Sequence, residues 1–212
     1  MSNDILPYVR NGSWSAQHPF YCQCAYFNLK KYEEHYSTLT KLEETLKTEL
    51  KHIADPERDD LIYVKTYQIR QMCHESAVSM HLFLCMTIEA FVNHYGVRRL
   101  GEAFYKQNLE RVGITEKIAL IIATCFQKTI PKDNLIILKS RALFDKRNQF
   151  VHPKSKEINQ NNLMNLANLH PKDFPVYRFL NDFEEIIEEF YKLDPTILKE
   201  IEFKKTFKNL DE

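Results

Sequence analysis

Residues 80 to 96 read MHLFLCMTIEAFVNHYG. The run is apolar nearly all round, the pattern of a helix enclosed by other helices rather than one lying on a surface. The chain is therefore read as a helical bundle with this stretch at its centre. Within it His81, Cys85, Glu89 and Asn93 fall at successive i+4 steps and share one face. An acid in such surroundings has to be protonated or paired, and Arg147 is the partner chosen for Glu89. His81 and Cys85 have the spacing to ligate one metal, but no third ligand accompanies them, and a hydrogen-bonded core histidine is the simpler reading.

The helix expected to carry Arg147 starts near Asn134. Leu135, Leu138 and Ala142 make one stripe and Ile136, Leu143 and Phe150 the next, the spacing of a helix buried on more than one side. It ends in RNQFVH, Arg147 to His152, followed by Pro153. Proline disfavours the α conformation in the residue before it, so the helix should stop at His152. The imidazole then lies in the last turn and the guanidinium about one and a half turns back, with both side chains expected to face one small space. Arginine offers a fixed fork of donors suited to phosphate, and histidine is the side chain that titrates nearest neutrality. Together they suit metal-free cleavage of a phosphodiester. The competing reading is a histidine bonding a helix-end carbonyl and an arginine paired with a nearby acid.

Arginine, then the polar Asn148, then a histidine five positions after the arginine, late in a helical chain, resembles the signature of the HEPN superfamily (higher eukaryotes and prokaryotes nucleotide-binding). No other arginine here has a histidine five residues downstream. The segment IEAFVN, Ile88 to Asn93, also looks like the helix that HEPN domains pack beside the signature helix, which gives Glu89 and Asn93 supporting roles. The resemblance implies an all-α, up-and-down bundle of HEPN type, here with an added long N-terminal helix. It implies a dimeric, metal-independent endoribonuclease without cofactor, in which Arg147, Asn148 and His152 of both protomers line one cleft. Members of this kind often act as toxins or in antiviral defence, with an antitoxin or regulatory protein as partner, and others have lost activity.

Composition sets the frame. The 212 residues suffice for one substantial core and are few for two. The expected division is an N-terminal arm and long helix over 1–55, a bundle over 56–195 and a terminal helix or tail over 196–212. Only four glycines occur, and long stretches lack turn signals, as in all-α proteins. No unbroken apolar run reaches the roughly 18 to 20 residues that span a bilayer, and the opening MSNDILPYVR lacks the basic-then-apolar order of a secretory signal. A soluble, cytoplasmic protein with no membrane partner is expected. Five cysteines at irregular spacing fit buried thiols better than a disulfide framework.

Charge balances at 29 basic and 29 acidic residues, which argues against a broad nucleic-acid surface. Locally it does not balance: from Lys139 to Lys156 six basic residues meet one acid, Asp145, whereas Asp182 to Glu189 holds five acids and no base. The basic segment suits a polyanion, and Lys146, Lys154 and Lys156 are the residues expected to touch RNA.

In chain order, a turn-rich arm with Trp14, Phe20 and Tyr21 is expected to precede a helix from about Ala25 to Ala54, with Tyr32, Leu39, Leu42, Leu46, Leu50 and Ile53 inward. His18, Cys22 and Cys24 form a compact cluster, but it lacks a fourth ligand, and small buried side chains are the better reading. Asp55 and Pro56 should cap and start the next helix, which runs to Gly96 with a possible break near His74 to Ser76. A shorter helix beyond Gly96, carrying Leu100, Phe104 and Tyr105 with Arg98, Arg99 and Lys106 and ended by Gly113, and another capped by Thr115 and closed by Pro131 lead to the signature helix. The polar segment after His152 is long for a connection and is a candidate lid. Pro175 begins an amphipathic helix with Phe179, Phe183, Ile186, Ile187 and Phe190 inward and its acids outward.

Phosphate-cradling glycine loops, His-Glu-x-x-His, Cys-x-x-Cys and Gly-x-Ser-x-Gly are missing from the sequence, so nucleotide hydrolysis, zinc proteolysis, thiol redox and serine hydrolysis have no motif. Three functions remain: a ribonuclease, an inactive HEPN-type dimerisation or nucleotide-binding module, and an unrelated helical interaction protein.

Overall fold

A computed structural model describes residues 17–152 and 170–196. Among them are six α-helices: α1 (His18–Glu49), α2 (Asp55–Leu100), α3 (Glu102–Asn108), α4 (Ile114–Phe126), α5 (Leu135–Val151) and α6 (Val176–Leu193), with a 3-10 turn at Pro171–Asp173. No strand occurs among the described residues. The protein is all-α.

The 46-residue α2 is the axis, and every other helix packs on it. Its residues Leu84, Ile88, Phe91 and Val92 are fully enclosed. The break expected near His74 does not occur, because Cys73, Ser76 and Ala77 are small enough to let α1 lie close while the backbone bonds continue. Nor does α2 end at Gly96. It continues to Leu100 and stops at Gly101, whose φ of 86° is a conformation glycine adopts without a Cβ penalty. Gly96 serves packing instead. A Cβ there would lie 3.0 Å from Ile121 Cδ1 and from the Tyr105 ring, so its absence lets α3 and α4 approach the axis.

By length and composition alone α2 could cross a membrane, and 56% of its most apolar 18-residue stretch is buried inside the protein.

α1 starts at His18, seven residues before the expected Ala25. Pro19 occupies its first turn, where the missing N–H costs nothing. Phe20, expected to pack as part of an arm, is instead on the exposed face of this helix, as is Leu42 in part. Cys22, Ala25, Leu29, Tyr32 and Leu39 face α2 and belong to the same core as the rest of the bundle. A polar node ties the pair together: Arg70 of α2 bonds Thr66 Oγ1 at 2.9 Å and pairs with Glu43 of α1. Glu43 also accepts from His170 Nε2 at 3.2 Å, and Tyr32 donates to the Pro171 carbonyl at 2.9 Å, which fixes the 3-10 turn against α1.

Two caps differ by a residue or two from expectation. Ala54 holds the N-cap position of α2, with Asp55 in the first turn beside Arg58. Gly113 precedes α4, and the Thr115 hydroxyl bonds Glu116 rather than the backbone. α4 closes at Phe126, with Gln127 in the left-handed region at φ 52°, before Pro131 is reached.

The inward face of α6 is as expected, with Phe179, Phe183, Ile186, Ile187 and Phe190 buried. Its acids are not all outward. Asp182 is buried beside α5, where Lys139 Nζ lies 2.6 Å from both Asp182 and Glu185. The basic segment and the acidic run thus neutralise each other in part. At the far end of α6, Asp194 is sealed from solvent with Arg99 and Tyr95 of α2. Trp14, the segment after Pro153 proposed as a lid, and the tail beyond Thr196 lie outside the described residues.

Candidate active site

The signature helix is set by its two ends. Asn134 caps it, its side-chain oxygen accepting from Ile136 N at 3.1 Å, and His152 ends it, donating its backbone N–H to the Asn148 carbonyl at 2.9 Å with ψ of 66°. Ile136, Ile137, Ser140, Leu143 and Phe144 are buried. The stripe of Leu135, Leu138 and Ala142 is exposed, so the helix is covered on one side and not on two.

Arg147 points back toward α2. Its Nη2 lies 3.7 Å from Glu89 Oε2, an ion pair longer than a hydrogen bond, and its Nη1 donates to Asn148 Oδ1 at 2.9 Å. The guanidinium also lies over the Phe144 ring at 5.8 Å. Glu89 is not enclosed as its apolar neighbours suggested. Its side chain is 43% exposed and that of Arg147 32%, so solvent screens the pair and it contributes about 1 kcal/mol or less. A guanidinium held this loosely, and 32% exposed, can exchange its partner for another anion.

His152 is exposed at the helix end, and no hydrogen bond or ion pair joins it to Arg147 among the described residues. In an ideal helix positions five residues apart lie about 140° from one another around the axis, and His152 departs from that geometry with ψ of 66°. Asn148 is exposed beside Arg147. Lys146 stands over the Phe150 ring at 5.1 Å, and Lys154 and Lys156 lie outside the described residues.

The other positions on the α2 face hold the helix in place. His81 Nε2 lies 3.0 Å from the Leu143 carbonyl, and Phe150 and Phe179 pack on its ring. Burial pushes the imidazole down to about 4, so it is neutral and its Nε2–H donates. Cys85 Sγ lies 3.7 Å from the same carbonyl, its thiol pushed up to about 12 by burial. This pair is a core contact, both side chains meeting the Leu143 carbonyl. Among the described residues no group of three or more His, Cys, Asp or Glu side chains is arranged to hold a metal ion.

Asn93, one turn after Glu89, leads to two residues the sequence did not single out as part of the site. Its Oδ1 accepts from the Tyr105 hydroxyl of α3 and from Lys117 Nζ of α4, the latter at 2.8 Å. Lys117 is buried, and the only hint in the sequence is a lone cation at the head of a strongly apolar helix.

Comparison with family models, with curated proteins and with solved structures finds no match to this chain.

Proposed function

We propose that the protein is a metal-independent endoribonuclease of HEPN type that works as a homodimer. The observation that carries this reading is the state of Arg147. Asn148 steadies it, Glu89 holds it only loosely, and it stands one and a half turns from an exposed histidine at the helix end. Because no hydrogen bond or ion pair joins Arg147 to His152 among the described residues, the site is completed by a second copy, and the exposed Leu135 and Leu138, at 43% and 46%, give α5 an apolar face for it.

In this mechanism the ribose 2′-oxygen attacks the adjacent phosphorus and loses its proton to a neutral His152. The phosphorus-to-5′-oxygen bond breaks, and the departing oxygen takes a proton from the protonated His152 of the other copy. Arg147 holds the phosphoryl oxygens, where charge builds. The products are a 2′,3′-cyclic phosphate and a 5′-hydroxyl. A role as a toxin or in antiviral defence, with an inhibitory protein partner, belongs to the same proposal.

The second reading, a catalytically inactive dimerisation or nucleotide-binding module of the same type, draws on the same exposed leucines and on the lack, among the described residues, of a partner bonded to the His152 ring. Cleavage decides between them. Purified protein with excess chelator, incubated with single-stranded RNA, should yield fragments ending in cyclic phosphate. Intact RNA across varied sequences would leave the inactive module.

A further inference from the structure

Lys117 lies in the first turn of α4 with 3% of its surface exposed. A buried ammonium has to be compensated. Its direct partners are neutral, the Asn93 amide oxygen at 2.8 Å and the Tyr105 ring at 5.4 Å. The carboxylates whose field reaches it are Glu89 and Glu110, and they oppose the downward pull of burial on its pKa. Asn93 stands one turn beyond Glu89 on the same face of α2. Lys117 therefore approaches that face from α4 while Arg147 approaches it from α5. Glu89 thus pairs with the partly exposed Arg147 and sits one turn from the amide that holds the buried Lys117.

We propose that Lys117 and Arg147 share the charge of Glu89, so that Lys117 is a positioning residue that sets how tightly Glu89 retains the arginine. The inference rests on the ribonuclease reading for its purpose. A phosphate entering the cleft draws the guanidinium away, because a bidentate arginine–phosphate pair outcompetes a 3.7 Å contact. The bared Glu89 would then repel the phosphate. Lys117 offsets that charge in place, without moving and without touching RNA. Lacking Lys117, the carboxylate would be balanced by Arg147 alone, and the arginine would be held back from substrate.

Lys117→Met keeps the length of the side chain, and Asn93 Oδ1 retains the Tyr105 hydroxyl, so the variant should fold. The experiment is a double-mutant cycle of Lys117→Met with Glu89→Gln, with two readouts. The first, without RNA, is hydrogen exchange at the Arg147 guanidinium by NMR. Lys117→Met should slow it about two- to fivefold, the size of one exposed charge pair, and should have no such effect in the Glu89→Gln background. The second is the Kd for single-stranded RNA, with His152→Ala throughout to prevent cleavage. Lys117→Met should raise it by the same factor, again only when Glu89 is present. Equal effects in both backgrounds, or no change in Arg147 exchange, would overturn the proposal. If exchange follows the pattern while no variant binds RNA, the shared carboxylate stands and the ribonuclease reading falls.

Discussion

His81 of α2 reaches the Leu143 carbonyl of α5 at 3.0 Å, from a position with no solvent exposure, and so joins the bundle axis to the helix that bears Arg147. The bond needs a hydrogen on Nε2, which both the neutral Nε2–H tautomer and the imidazolium carry, so it is burial and not the bond that keeps the ring neutral. Burial holds its pKa at about 4, with the Leu143 bond opposing that shift and Lys146 adding to it. His18, at the start of α1 against His94 and Phe91, is likewise pushed down to about 4 by burial and by His94.

Stability should therefore fall in acid. Above the unfolded value of 6.5 both histidines are neutral in either state and contribute no pH dependence. As pH drops below it, the unfolded chain takes up protons that the native one refuses, so stability is lost progressively down to about 4. For His81 the loss is on the order of 3 kcal/mol. Urea midpoints at pH 7 and pH 5 test this: His81→Gln and His18→Gln should each flatten the decline, and an undiminished slope in both would refute the assignment.

A second prediction contrasts two ion pairs. Asp194, fully enclosed, is bound by Arg99, by the Tyr95 hydroxyl at 2.8 Å and by its own Thr196 N–H at 3.1 Å. Asp194→Ala leaves a buried guanidinium without its carboxylate and should cost about 3 to 5 kcal/mol in a denaturant titration. Glu102→Ala breaks the exposed pair with Lys106 and should leave the midpoint nearly unchanged.

The bundle was legible in the sequence because burial follows periodicity. The all-round apolar run of α2 and the inward phenylalanines of α6 needed nothing else. Helix ends were harder, since Gly96 and Gly101 are the same residue type in different roles, one admitting the Tyr105 ring and the other turning the chain. Arg147 and Glu89 were paired correctly from sequence, but the exposure of Glu89 was not foreseen, because the pattern of one helix does not say where its neighbours stop covering it. Lys117 was missed for a similar reason: a single cation on an apolar helix gains its meaning only from Asn93, which lies 24 residues away in sequence and on another helix.

The homodimer gives a third prediction. Light scattering at micromolar concentration should return twice the chain mass, and Leu135→Lys with Leu138→Lys should return the monomer, since each places a charge on the exposed apolar face of α5. Both positions are already exposed, so the double variant should keep its thermal midpoint. A wild-type monomer across the whole concentration range would remove the two-copy site.

The last prediction is chemical. His152→Ala removes the proton carrier, and general acid–base catalysis sets the expected loss of RNA cleavage at about 100- to 10,000-fold. Arg147→Ala removes the main phosphate contact, with a loss of about 100- to 1,000-fold, comparable with deletion of one donor to a developing oxyanion. Neither change should unfold the chain, because His152 is exposed and the pair that Arg147 forms with Glu89 is screened by solvent. Glu89→Gln separates the roles further: it frees the guanidinium and removes a negative charge beside the phosphate, so KM for RNA should fall while kcat stays within about twofold, the mark of a contact outside the reacting atoms. In a dimer with one active site spanning two copies, mixing wild-type chains with His152→Ala chains gives heterodimers that hold a single His152, so either the base or the acid is missing. Such heterodimers should lose activity nearly as fully as the His152→Ala homodimer, and verified heterodimers that keep about half of the wild-type rate would place a complete site in each copy.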